Sequence, residues 1–153
     1  MRSLYLALTS ATLAATTAFS EGTSPMNVIY TEGAVTEALT AQAGDPGSGR
    51  KIFMNRKQGN CLACHVNTEM SDQLFHGEVG PALDGVAARW EEHELRGIVA
   101  NSKLMFEGTI MPAFYKDSGF ERSLEKFQGK TILNAQQVED VVALSLIHIS
   151  EPT

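Results

Sequence analysis

Apolar residues recur at helical spacing in three segments of the chain, and each segment has a start signal of its own. The first helix is predicted to begin near residues 46–48 and to run to Arg56, and the second to span residues 91–102. The third is predicted to begin at Asn134, because Gln137 follows it at capping-box spacing. The apolar faces are Ile52 and Phe53; Leu95, Ile98 and Val99; and Val138, Val141 and Val142.

Long loops are predicted between these helices, and no sheet. Residues 26–30 form a short apolar run with some preference for β structure, residues 34–43 are mildly helical, and residues 82–90 suit a short helix. Gly49 lies within the first helix, where we expect it to permit a close contact with another helix. The pattern therefore predicts an all-α fold of several helices and long loops.

The two ends of the chain differ in composition from its middle. Residues 1–20 start with Arg2, continue as an apolar run and end in small residues, which is typical of a cleaved secretory signal peptide. We therefore expect export to the periplasm, and no later segment is apolar enough to span a membrane. Residues 144–153 resemble a translated sequencing adapter and are interpreted as a non-native tail. An N-terminal arm, 21–44, and one domain, 45–143, remain between them.

The net charge of −6 and the lack of a basic stripe argue against nucleic acid as a partner. The basic residues that do cluster lie just before the only two cysteines of the chain. Such a cluster is either a solvated helix face or a patch that steers an acidic redox partner, and the sequence leaves both open. It consists of Arg50, Lys51, Arg56 and Lys57.

The two cysteines belong to the motif Cys61-Leu62-Ala63-Cys64-His65, whose C-x-x-C-H spacing attaches a c-type haem to a polypeptide. Two thiols at this spacing reach the two vinyl groups on one porphyrin edge. The adjacent imidazole of His65 then falls beneath the ring, where it can bind iron as the proximal axial ligand. We therefore predict one covalently bound haem c, held by Cys61 and Cys64.

A proximal histidine needs a hydrogen-bond acceptor for its second ring nitrogen, and the carbonyl of Pro81 in Gly80-Pro81-x-Leu83-x-Gly85 is the candidate. For the sixth ligand we favour Met111, because it lies in a loop stiffened by Pro112 and not on a helix stripe. A His/Met pair raises the reduction potential and leaves no open coordination site. The other candidates are Met26, Met54, Met70, Met105, His76 and His93.

Taken together, these motifs resemble the class I cytochromes c. The longer strings around them are similar to the SoxX family, the monohaem subunits of SoxAX cytochromes in bacterial thiosulfate oxidation. These strings are Gly44-Asp45-Pro46, residues 56–65, Gly80-Pro81 and residues 108–115. The resemblance covers residues 26–143. It implies a class I cytochrome c fold, thioether bonds at Cys61 and Cys64, and His65 and Met111 as axial ligands.

The resemblance also implies a role. SoxX-type subunits form a heterodimer with a dihaem or monohaem SoxA-type subunit that holds the catalytic haem, and the pair joins thiosulfate to a cysteine of a carrier protein. The SoxX-type haem accepts the released electrons and passes them to a small acceptor cytochrome c. No cysteine remains here beyond the haem motif. We therefore expect a redox subunit of an L-cysteine S-thiosulfotransferase, not an enzyme by itself.

Three other functions remain open. A stand-alone periplasmic electron carrier would have the same haem and ligands, and the N-terminal arm favours a subunit over it. A thiol oxidoreductase would use Cys61 and Cys64 as a redox dithiol, but that motif should follow a strand and here follows a helix. A zinc site from Cys61, Cys64, His65 and His76 has poor spacing for tetrahedral coordination.

Overall fold

Three α-helices frame the part of the chain that the structure, a computed structural model, describes, residues 22–148. They are α1 (Pro46–Met54), α2 (Glu92–Asn101) and α3 (Ala135–His148). Residues 22–148 contain no strand, only an isolated bridge between Thr31 and Ala34, so the all-α prediction is confirmed. The predicted signal peptide, 1–20, and residues 149–153 of the suspected tail lie outside the described residues. Short 3₁₀ turns in the loops are Pro25–Asn27, Cys61–Ala63, Thr68–Met70, Val86–Ala88, Ser102–Leu104 and Glu125–Phe127.

The helix starts are where the sequence predicts them. Asp45 precedes α1, and its carboxylate accepts a 2.7 Å hydrogen bond from the Ser48 backbone N–H. The Ser48 hydroxyl, and then this N–H, lower the pKa of Asp45. Glu91 and Glu94 form a capping box at the start of α2. At α3 the Asn134 N–H donates to Gln137 Oε1, and the Gln137 N–H donates back to Asn134 Oδ1, at 2.9 and 2.8 Å. Local side-chain chemistry therefore sets all three N-termini.

Helices α1 and α3 cross at very short range, and glycine makes the crossing possible. A Cβ on Gly49 would lie 2.2 Å from the backbone oxygen of Asp140 and 3.0 Å from the Cβ of Leu144. A Cβ on Gly44, just before α1, would lie 2.1 Å from the backbone oxygen of Glu139. The predicted helix contact at Gly49 is confirmed, and α1 is fixed against α3 directly upstream of the C-x-x-C-H motif.

Residues 22–45 pack on α2 and α3 and do not form the helix expected at 34–43. Val35 and Leu39 are buried in the core. The Val35 N–H donates to the His93 backbone oxygen at 2.9 Å, and the Leu39 N–H donates to Glu139 Oε1 at 2.8 Å. The helix prediction was wrong because these amides bond to other elements and not to carbonyls four residues earlier. The arm therefore lies on its own domain, so its presence does not separate a subunit from a free carrier.

A buried ion pair holds this layer together. Arg96 of α2 and Glu139 of α3 are 3% and 5% exposed, and Arg96 Nε lies 2.8 Å from Glu139 Oε1. Arg96 also donates to the Val35 backbone oxygen at 3.0 Å and to Glu92 Oε1. Burial opposes the charge of Arg96, but its bonds to the two glutamates outweigh this and raise its pKa. Both ions are thus compensated in the interior.

One further expectation meets a different outcome in the structure. Residues 82–90 contain only the 3₁₀ turn Val86–Ala88 and not a short α-helix, since Gly85 before it is in the left-handed region with φ 67°. α3 continues past Ala143 to His148, and Leu144 is fully buried. The proposed non-native origin of residues 144–153 stays a prediction. None of the helices in the described part of the chain is long and apolar enough to cross a membrane.

We predict that Gly49→Ala lowers the free energy of unfolding by about 2 kcal/mol or more, because its Cβ would overlap the α3 backbone. The measurement is chemical denaturation of the purified protein. Gly47→Ala in the same helix is the matched control: its Cβ would meet nothing closer than 3.5 Å. That control should keep or raise stability, by up to about 1 kcal/mol. Equal stability of the two variants would contradict the close crossing.

Candidate functional site

The C-x-x-C-H motif folds into one tight turn after α1. Asn60 takes a left-handed conformation with φ 49°, and the 3₁₀ turn Cys61–Ala63 follows it. The backbone N–H groups of Cys64 and His65 both donate to the Cys61 carbonyl, at 3.1 and 3.0 Å. Each cysteine is partly buried. The turn therefore holds both thiols and the imidazole at fixed positions relative to each other.

Residues 77–81 pack directly against this turn, and two glycines allow it. The Gly77 N–H donates to the Leu62 carbonyl and the Gly80 N–H to the Cys64 carbonyl, both at 2.8 Å. A Cβ on Gly77 would lie 2.0 Å from the Ala63 oxygen. A Cβ on Gly80 would lie 2.3 to 2.9 Å from three atoms of the His65 ring. The imidazole is thus held against the backbone of Gly80.

The His65 ring orientation is also fixed by a hydrogen bond. Nδ1 lies 2.7 Å from the Pro81 carbonyl oxygen, which can only accept, so Nδ1 carries the proton. The Nε2 lone pair is then left for a metal. The contact anticipated between His65 and Pro81 is therefore present, while its role at an iron atom stays a prediction.

Met111 lies in the irregular segment after α2 and is anchored there by backbone contacts. Ser102, fully buried at the end of α2, donates its hydroxyl to the Met111 carbonyl at 2.9 Å. The Tyr115 N–H donates to the Ala100 carbonyl at 2.9 Å, so the far end of the loop is tied to α2 as well. Pro112 has no N–H that would need a partner. The loop is therefore attached to the end of α2 at Met111 and again at Tyr115.

One apolar cavity of about 340 Å³ brings these separate segments together. Cys61, Cys64 and His65 line one side, and Met111 lines it from a loop distant in sequence. Most of the remaining lining is aliphatic or aromatic, which is typical of a pocket that holds a flat apolar ligand. Two thiols, an imidazole and a thioether around such a cavity are the donor set of haem c. The residues present fit that group.

The other candidates for the sixth ligand do not line this cavity. Met70 is buried in the core and Met26 is exposed, while Met105 packs on Gly33. His76 accepts from the Asn67 N–H through Nδ1 and bonds the Met70 carbonyl through Nε2, so both ring nitrogens are used. His93 is exposed on α2. Among the described residues, Met111 is the only methionine on the cavity wall.

Sequence reasoning missed two side chains of the cavity wall. Trp90 lines the cavity and packs edge-on against Phe106, with ring centroids 5.7 Å apart. Arg89 lines the cavity as well, and its guanidinium donates to the Asp84 and Ala82 carbonyls at 2.8 and 3.0 Å. They come soon after the Gly80–Gly85 loop, which packs on His65, but this nearness in sequence does not by itself place them on the cavity wall.

The same geometry disfavours the dithiol and zinc alternatives. Burial raises the pKa of the Cys61 thiol to about 12, whereas a redox-active dithiol needs a lowered pKa. The turn that contains the motif does not follow a strand. Within residues 22–148, no group of three or more Cys, His, Asp or Glu side chains is placed to hold a metal ion. The two ring nitrogens of His76 bond to Asn67 and Met70, so neither is left to bind zinc.

Comparison with known proteins agrees with this geometry. The family model described as Cytochrome c matches residues 47–144. The structure matches a chain of the crystal structure of SoxXA from P. pantotrophus with a TM-score of 0.78 and 48% sequence identity. That match covers 84% of this chain and 98% of the other. The search of curated proteins finds no match.

Cytochromes c bind haem c covalently, and this chain supplies the C-x-x-C-H cysteines, Cys61 and Cys64, on the wall of an apolar cavity. The family match extends from the first turn of α1 to Leu144, so it includes both that motif and the Met111 loop. The chain belongs to the cytochrome c family, and within it to the SoxX type.

Proposed function

We propose that this chain is the electron-transfer subunit of a SoxAX-type complex and binds one haem c. Thioethers to Cys61 and Cys64 hold the haem, and His65 and Met111 are the axial ligands. The observation that carries the proposal is the cavity itself, which places these four side chains around one apolar space. The SoxXA match, at 48% identity over nearly all of that chain, supports the assignment to this complex.

The haem, when bound, supplies a one-electron couple between ferric and ferrous iron. The side chains around it limit the site to that chemistry. His65, with Nδ1–H donated to Pro81, presents Nε2 in one tautomer, and the contact with Gly80 fixes the ring plane. Met111 would close the opposite axial position, so no site remains for a substrate. The apolar wall excludes water, and the electron transfer then needs little rearrangement of the surroundings.

The sulfur chemistry belongs to the partner subunit. Both cysteines of this chain are used for haem attachment, so none remains to carry a persulfide or to attack thiosulfate. The proposed partner is a SoxA-type subunit, with which this chain forms a heterodimer in the periplasm after cleavage of residues 1–20. Electrons released as thiosulfate is coupled to a carrier-protein cysteine enter this chain and leave to a small acceptor cytochrome c.

Met111→Leu tests the sixth ligand. The oxidised wild-type protein should show the weak sulfur-to-iron charge-transfer band, and the variant should lack it. Its reduction potential should fall by on the order of 0.1 V or more, because the thioether favours ferrous iron. Visible spectroscopy and potentiometry are the measurements.

Met105→Leu is the matched control, since Met105 packs on Gly33 and does not line the cavity. It should keep both the band and the potential. A band that survives in Met111→Leu would assign the sixth position to another side chain.

Co-expression with a SoxA-type subunit tests the assignment to the complex. We expect the two haem-loaded chains to migrate together on size exclusion, and the pair to form the thiosulfate–cysteine conjugate on a carrier protein. This chain alone should form none, since it offers no free thiol and no open iron site. Separate migration of two fully haem-loaded chains would instead favour a stand-alone electron carrier.

A further inference from the structure

A second concave surface lies on the other side of the C-x-x-C-H turn from the haem cavity. Cys61, Cys64 and His65 line the cavity, whereas Leu62 and Ala63, between the two cysteines, line this second space of about 510 Å³. We call it the outer hollow and define it by Arg56, Leu74 and Phe75, which line it together with these two residues. A molecule bound there would lie one turn of backbone away from the cysteines.

Two large apolar side chains of the outer hollow face solvent. Leu74 is 79% exposed and Phe75 is 81% exposed. Phe75 also has a φ of 68°, in the left-handed region that bulky residues rarely adopt. An exposed phenyl group in a strained conformation is unfavourable for the isolated chain on both counts. A partner that covers Phe75 would remove the first of these costs.

The two residues directly after Phe75 are firmly attached, so its exposure is not that of a slack loop. His76 is bonded at both ring nitrogens, to the Asn67 N–H and to the Met70 carbonyl. The Gly77 N–H donates to the Leu62 carbonyl at 2.8 Å. These contacts hold the phenyl group at a defined position beside the turn, and a preorganised apolar side chain binds with little loss of entropy.

Among the described residues that line the outer hollow, Arg56 is the only lysine, arginine, aspartate or glutamate, although the chain as a whole carries −6. Arg56 lines the hollow, and Lys57 follows it. Neither forms an ion pair with another residue of the described range, whereas Arg50 is paired with Asp72 at 2.6 Å. No carboxylate of residues 22–148 is among the residues that line the hollow. The surface therefore attracts an acidic partner.

A small apolar centre beside unpaired basic charge is typical of a transient redox interface. Such interfaces are small and depend on electrostatic steering for rapid association, whereas permanent subunit interfaces are larger and more apolar. We propose that the outer hollow docks an acidic face of the small redox protein that takes electrons from this chain. This inference rests on the proposed function. One electron leaves this chain and reduces the acceptor, and no bond is made or broken.

The test is an NMR titration of the haem-loaded chain with cytochrome b5, a small acidic haem protein, as the probe. Phe75→Asn should weaken binding about tenfold, as expected for removal of a central aromatic contact. Arg56→Glu should also weaken binding and make the affinity depend less on salt concentration.

Phe127→Asn is the matched control. Phe127 is 56% exposed and has the Lys126 ammonium 4.9 Å from its ring centre, but it does not line the hollow. The affinity of the Phe127→Asn variant for cytochrome b5 should stay within about twofold of the wild-type value.

A second measurement separates docking from a structural role. Asparagine tolerates the left-handed conformation, so Phe75→Asn should melt at or above the wild-type temperature while binding the probe more weakly. Unchanged binding by Phe75→Asn, or no binding by the wild type at low salt, would overturn the inference. Loss of a co-expressed SoxA-type subunit from Phe75→Asn would also overturn it, since that subunit would then cover the hollow. Failure of the wild type to assemble with that subunit would refute only the proposed function.

Discussion

The contact between the Cys61–His65 turn and residues 77–81 is the constraint on which the site depends. Without side chains at Gly77 and Gly80, the two backbones approach closely enough for one loop to support both faces of the turn. On the inner face, the Pro81 carbonyl fixes the proton on His65 Nδ1. On the outer face, Phe75, two residues before Gly77, lines the outer hollow together with Ala63. One backbone contact thus orients the proposed iron ligand and shapes the outer hollow.

The packing of the three helices fixes the positions of the segments that meet at this site. Gly49 and Gly44 let α1 lie on the α3 backbone, which fixes the point where the chain enters the turn. The buried Arg96–Glu139 pair joins α2 to α3 and to the arm, so the Met111 loop, tied to α2 through Ser102, has a fixed position relative to α1. The proposed ligands, far apart in sequence, are therefore brought to one cavity by helix packing, and not by local sequence preference.

The sequence was informative where chemistry is local. The Asn134–Gln137 capping box and the other helix-start signals are short-range features, and the three helices they predicted are present, with the C-x-x-C-H motif in one tight turn after the first. It failed where long-range contacts decide: residues 34–43 are not helical because their amides bond to α2 and α3. Trp90 and Arg89 could not be placed on the cavity wall either, since their surroundings come from segments distant in sequence.

The most direct test of the account is the intact mass of the exported protein after denaturation and organic extraction, combined with alkylation of free thiols. We predict a mass increased by one haem that extraction does not remove, with neither Cys61 nor Cys64 alkylated. A colourless product in which both thiols react would contradict the central claim, that these two cysteines hold one haem between His65 and Met111.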